Sequence, residues 1–120
     1  MESILTSIKK LLGITAECVD FDVDIVMHIN STFAILNQLG VGTEGFTIRD
    51  EYETWDQFVS ESEYEPVKTY VYMKVKLMFD PPLSSAVMEC MKQSISEFEW
   101  RLNFAAELKQ SSGEEESQNG

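Results

Sequence analysis

A chain of 120 residues makes one small domain with room for a modest core. Twenty-one Asp and Glu against nine Lys and Arg leave a formal charge of -12, which repels the phosphates of nucleic acid and the headgroups of anionic membranes. That balance excludes a conventional DNA-binding or membrane-surface protein. It favours basic proteins, other subunits or cations as partners, and it suits a surface that must lie beside DNA without holding it.

Ile4, Leu5, Ile8, Leu11 and Leu12 recur at helical spacing over residues 2–12. Gly13 is a natural stop, and Lys9 and Lys10 fall in the last turn, where positive charge suits a helix end. A linker from Ala16 to Asp20 follows. Asp22 is placed to cap a second helix with Asp24 in its first turn. Ile25, Val26, Ile29, Phe33, Leu36 and Leu39 make its apolar face, and Gly40 ends it. Phe46, Thr47 and Ile48 read as a short extended segment rather than part of a sheet. Residues 49–65 are rich in Asp, Glu and Ser and read as an irregular acidic insert on the surface. Trp55 and Phe58 tack it down from a single helical turn capped by Thr54.

The third helix is expected from about 65 to 79, with Pro66 in its first turn, where the missing N–H has no helical partner to lose. Val67, Val71, Lys74, Leu77 and Met78 mark its broad stripe. Tyr64, Tyr70 and Tyr72 are placed to shield core edges with their hydroxyls wet. Asp80, Pro81 and Pro82 then make a rigid corner that forbids continuation. Ser84 or Ser85 caps the last helix, expected over about 86–108 and so roughly 35 Å long. Its seam is read as Val87, Cys90, Met91, Ile95, Phe98, Leu102 and Ala105. The fold class is therefore all-α: a small helical bundle over 1–108 with a long C-terminal helix and an acidic insert. After Leu108 no apolar side chain remains, so 109–120 reads as a flexible acidic tail, either solubilising or an arm that orders on a partner.

A catalytic site is hard to assemble. His28 is the only histidine, and no metalloprotease, phosphate-loop or calcium-loop pattern occurs. Asp20, Asp22 and Asp24 alternate, but the glycine and glutamate that a calcium loop needs are missing at the required places. Cys18 and Cys90 lie in segments that read as partly buried and lack the CxxC spacing of a redox pair or thiolate zinc site. No catalytic residue, cofactor or metal is expected. Residues 1–20 lack the pattern of a secretion signal, and no apolar stretch matches a membrane span, so the chain is expected to be soluble and cytoplasmic unless built into something larger.

Trp100 and Phe104 stand apart. They form a second apolar stripe at i,i+4, beside a favourably ordered Glu97–Arg101 pair. Either they bury against the short first helix or they make a subunit contact.

The runs Ile4 to Gly13, Asp24 to Ser31 and Leu36 to Gly42, in that order, resemble the head–tail connector, or adaptor, proteins of long-tailed phages and related prophages of Gram-positive bacteria. Tyr70 to Asp80, the Pro81–Pro82 corner and Ser94 to Ala106, including Glu97 to Leu102, continue the likeness, which covers roughly residues 2–108. Thr15 to Val19 and Asp50 to Glu65 are its variable parts. The resemblance implies a non-enzymatic virion part that assembles as a ring, usually of twelve subunits, beneath the portal. DNA would pass through that ring without specific binding, and a tail-side connector or tail-completion protein would sit on its far side. It would place the protein in the virion neck, after assembly in the host cytoplasm. It also implies that the end of the long helix and the arm, with Lys109, Glu114, Glu115 and Glu116, reach toward a portal groove offering Lys, Arg or backbone amides.

In such a ring Trp100, Phe104 and the loop around Trp55 and Phe58 are the interface candidates, with Lys68, Lys74, Lys76 and Lys92 available for pairing between copies. The isolated chain is expected to be a monomer. Three other readings stand beside it: an acidic DNA mimic occupying a DNA-binding cleft, a helical scaffold or tail-completion protein for another virion component, and an enzyme built on Asp22, Asp24 and His28.

Overall fold

Ser3 Oγ accepts the Thr6 N–H at 3.2 Å and so starts the first helix of the computed structural model, α1 (Ile4–Leu11). The structure describes the backbone of residues 1–119 and the side chains of residues 1–111. Ile4, Leu5 and Ile8 are buried, as their spacing predicts. Gly13, at φ +81°, ends the helix in a Schellman turn in which the Ile14 N–H reaches Lys9 O at 2.8 Å and the Gly13 N–H reaches Lys10 O. Gly40 repeats the device after α2 (Asp22–Gln38), with the Val41 N–H on Leu36 O at 2.9 Å.

Asp22 does not cap α2. Phe21 holds the cap position without a side-chain bond, and Asp22 sits in the first turn with its carboxylate 2.8 Å from Lys9 Nζ. Lys9 is buried, and its ammonium also donates to Ala16 O at 3.2 Å. The pair is close but poorly aligned as a hydrogen bond. It ties the 12–21 loop to the start of α2, and a buried ammonium without it would cost several kcal/mol.

The apolar face of α2 is as expected: Ile25, Ile29, Phe33 and Leu36 are fully buried, with Val26 and Leu39 at its edges. Two asparagines on that helix hold the chain that follows. Asn30 accepts the Ile48 N–H at 2.8 Å and donates to Ile48 O at 3.0 Å, replacing the strand partner that Phe46 to Ile48 lack. Asn37 donates to Val41 O and Thr43 O and accepts the Gly45 N–H at 2.9 Å. Among the described residues there is no strand, only an isolated bridge between Ser3 and Thr54.

The acidic insert is more than a surface excursion. Its carboxylates are largely exposed, but Trp55, Phe58 and Val59 belong to the central core. Phe58 stacks on Phe33 at 4.0 Å, and Trp55, at the start of a 3-10 turn (Trp55–Gln57), meets Phe33 edge-on. The Trp55 indole N–H donates to Ser7 Oγ at 2.8 Å, so the insert is bonded to α1 in the interior. Gly42, at φ +84°, makes room: a Cβ there would come within 2.3 Å of the Phe58 ring.

A second 3-10 turn (Glu61–Glu63) leads into α3 (Tyr64–Phe79), which packs on α1, α2 and α4. Being enclosed on several sides, it buries a wider set than one stripe: Val67, Tyr70, Val71, Met73 and Val75. Lys74 is only half-buried and Met78 is exposed, contrary to expectation. Tyr70 keeps no wet hydroxyl; it is wholly buried and donates to Glu99 Oε2 at 2.6 Å.

After Asp80, Pro81 and Pro82 the chain enters α4 (Ser85–Asn119), with Ser84 as its cap. To Ser111 that helix already spans roughly 40 Å. The result is an all-helical fold with a long C-terminal helix. The seam of α4 is displaced from the expected one: Ile95, Leu102 and Ala106 are buried and Met91 and Phe98 partly so, whereas Val87, Cys90 and Ala105 are exposed. Contact with the end of α2 shares in setting this phase: Asn103 Nδ2 donates to Leu39 O at 3.2 Å and Ala106 lies directly against Gly40. The tail residues Ser112 to Gly120 lie outside the described side chains, and Lys109 to Ser111 continue α4.

Asn30→Ala removes two hydrogen bonds to a buried backbone segment and should destabilise the fold by about 2 kcal/mol, read from the urea midpoint. Asn30→Asp keeps the acceptor for the Ile48 N–H but loses the donor, and should fall between the two.

Candidate subunit interface

Successive residues of an α-helix are about 100° apart, so Trp100, Phe104 and Leu108 face away from Ile95, Leu102 and Ala106. They are 66%, 48% and 56% exposed. The rings of Trp100 and Phe104 stack in parallel, their centroids 5.3 Å apart and their planes at 3°, forming a stacked aromatic plate of two layers. Of the two readings of this stripe, burial against α1 fails: α1 packs on α2 and α3, and the plate stays in solvent. Arg101 and Glu97 pair beside it at 2.6 Å, which holds the flanking side chains along the helix.

What aims the plate outward is the residue before it. Glu99 turns inward to accept the Tyr70 hydroxyl, and that contact pins the rotation of α4 on α3. Burial first, then the hydrogen bond to Glu99 and its negative charge, push the Tyr70 phenol well above its ordinary value.

Asp80, Pro81 and Pro82 lie between the end of α3 at Phe79 and the start of α4 at Ser85. Asp80 caps α3 through its N–H to Lys76 O, and its carboxylate, unfavourable at a helix C-terminus, is offset by Lys76 Nζ at 2.8 Å. Leu83 beyond the prolines is fully exposed, and Val87 is half so.

Trp55 and Phe58 do not belong with the plate. Both are consumed by the core and present no surface, so their expected place at an interface is corrected to a structural one. Lys109 pairs with Glu63 across to the turn before α3. Glu114, Glu115 and Glu116 lie outside the described side chains. Of the four lysines expected to pair between copies, Lys68 is engaged by Glu2 and Lys76 by Asp80, while Lys74 and Lys92 have no ion-pair partner among the described residues. Sequence reasoning missed a second apolar surface on α2, where Val23 and Met27 are 82% and 57% exposed. Their i,i+4 spacing was the available signal.

The alternative chemistry finds no support in the geometry. Asp22 is held by Lys9, Asp24 faces solvent, and no cluster of His, Cys, Asp and Glu suited to a metal occurs among the described residues. Cys18 is half-buried, Cys90 is exposed rather than buried as expected, and both are thiols. No helix among the described residues is long and apolar enough to cross a membrane.

The model of one protein family, described as phage connector protein, matches residues 4–109. The chain belongs to that family. A search of the curated proteins and a search of the solved structures each found no match. The matched span runs from the start of α1 to Lys109 and so includes the corner, the Tyr70–Glu99 contact and the aromatic plate. A phage connector protein is a structural, non-catalytic part of the virion's connector region, where it meets other virion components.

Two outcomes follow for this connector. Trp100→Ala and Phe104→Ala should shift stability by no more than about 0.5 kcal/mol, whereas Leu102→Ala, on the opposite face, should cost about 3 kcal/mol by urea unfolding. Because the folded-state pKa of Tyr70 is raised, its contribution is complete below the ordinary tyrosine value and is lost as pH rises past about 10. Tyr70→Phe should flatten that alkaline decline in a pH series of unfolding midpoints.

Proposed function

We propose that this connector forms a ring between the portal and the tail and continues the channel through which DNA leaves and enters the head. The observation that carries this reading is the aromatic plate of α4, exposed on a rigid helix and aimed away from its own core. A stacked Trp–Phe pair held in solvent by its scaffold is the kind of anchor that protein interfaces bury.

Charge supports the same role. A formal charge of -12 on each copy keeps the channel from gripping phosphate, so DNA moves without specific binding. The same charge opposes assembly from dilute monomers. The aromatic pair exposes roughly 250 Å², far below the roughly 800 Å² that each partner buries in a stable interface. The ring therefore assembles on the portal as its template, in the host cytoplasm, with a copy number near twelve, and stays in the virion neck. The arm from Lys109 to Gly120, with Glu114 to Glu116, docks in a portal groove lined by basic side chains or backbone amides, and a tail-completion protein takes the other side.

Co-expression with the neighbouring portal tests this. Particle imaging should show a ring of added density on the portal with the wild-type chain, and a bare portal with the folded Trp100→Ala/Phe104→Ala variant. A portal left bare by the wild-type chain would overturn the reading.

A further inference from the structure

Beside the exposed Val23 of α2 lies a cleft of about 400 Å³, within the size range of pockets that hold ligands. Val19, Val23 and Val26 give it apolar walls, and its rim carries three carboxylates, Asp22, Asp50 and Glu51, against one cation, Arg49. Lys9 offsets Asp22 from the interior side at 2.8 Å. Asp50 and Glu51 have no ion-pair partner among the described residues. The rim is also held in place. Asn30 fixes Ile48 at both its N–H and its carbonyl. The Glu53 carboxylate then accepts the Arg49 and Asp50 N–H groups at 2.9 and 3.2 Å, and Asp50 Oδ1 accepts the Tyr52 N–H at 2.9 Å. A segment docking here would meet carboxylates on a turn that needs little further ordering.

From this arrangement we infer that the cleft docks a segment of a partner protein that carries one large apolar side chain with Lys or Arg within two or three residues of it. The inference goes beyond the ring reading and does not depend on it, because the site is complete in a single chain. Apolar walls by themselves name no occupant; the charge at the rim does. Acidity is general on this chain, but here two unpaired carboxylates are fixed beside an apolar cleft with room for a side chain. A basic group next to the seated apolar one brings the missing counter-charge, and an acidic group is repelled. The Arg49 guanidinium, also without an ion-pair partner among the described residues, is left to donate to main-chain carbonyls of the segment. The chain's own apolar stripe on α4 is a poor occupant. The helical repeat places Glu97 and Glu107 on the same face as Trp100 and Phe104, which would set like charges against the rim.

The test uses the full-length protein without portal and a displayed library of short random peptides as the probe. Selected peptides are then synthesised and titrated into isotope-labelled protein. Enriched sequences should combine a Leu, Ile, Met, Phe or Trp with a nearby Lys or Arg, and should shift the amide resonances of Val19, Val23, Val26 and Glu51. Asp50→Asn/Glu51→Gln removes both charges while the new amide oxygen still accepts the Tyr52 N–H, and it should weaken the tightest peptide at least tenfold. Leu83→Ser, at an exposed leucine far along the chain from the cleft, should leave that affinity within twofold. Selection of no peptide, or of sequences without basic enrichment, would overturn the inference. So would peptides whose shifts fall on α4, or whose affinity survives Asp50→Asn/Glu51→Gln. Concentration-dependent shifts of the same cleft amides with no peptide present would overturn it in favour of a second copy as the occupant. None of these readouts uses the portal, so a failure here is distinguishable from a failure of the ring reading.

Discussion

A phenol hydroxyl buried without an acceptor costs about 1–3 kcal/mol, and Tyr70 lies wholly inside the bundle beneath α4. Its need for a partner decides more of this molecule than any other polar contact. Glu99 meets that need, and to do so it must face α3. Once it does, a helix with 3.6 residues per turn has no freedom left in its rotation. Leu102 and Ala106 fall on the core side, Asn103 reaches Leu39 O, and Trp100 and Phe104 are turned to solvent. The outward position of the aromatic stripe is thus a consequence of how the interior is satisfied.

The acidic surface imposes a second constraint, on where the few cations go. Of nine Lys and Arg, five form ion pairs within the subunit: Lys9, Lys68, Lys76, Arg101 and Lys109. Their work differs. Lys9 is buried and closes the α1–α2 loop, whereas Arg101 pairs with Glu97 in full solvent and contributes at most a few tenths of a kcal/mol. Cations committed internally are withdrawn from contacts with other chains, which leaves exposed apolar surface as the main source of attraction such contacts could use.

Local chemistry made much of this fold legible in the sequence. Ile4, Leu5 and Ile8 on α1, Ile25 to Leu36 on α2, the stops at Gly13 and Gly40, and the proline corner all act within a turn or two of chain, where spacing and backbone preference decide. The failures share the opposite property. Trp55 bonds to Ser7 across 48 residues, Asn30 clamps Ile48 across 18, and Tyr70 finds Glu99 across 29. An acidic, serine-rich run around Trp55 therefore read as a surface excursion merely tacked down by Trp55 and Phe58, whereas both belong to the central core. The seam of α4 was misplaced toward Val87, Cys90 and Ala105 because periodicity shows that a seam exists, not which neighbour sets its phase; here Tyr70, Leu39 and Gly40 set it together. The Trp100–Phe104 stripe was visible as spacing, and only its surroundings could separate burial from exposure.

A ring built from these subunits must balance two terms that scale differently. Each added copy would bring one more contact between neighbours, but its charge acts on every neighbour within the screening length of about 8 Å at physiological salt. Repulsion between bulk surfaces is thus short-ranged, and it is concentrated where copies touch. An attraction that is itself local and apolar, such as burial of exposed aromatic surface, can oppose it there, provided that the contact excludes water. Farther from the contact the same acidic surface remains uncompensated, and that is the surface a moving DNA duplex would meet.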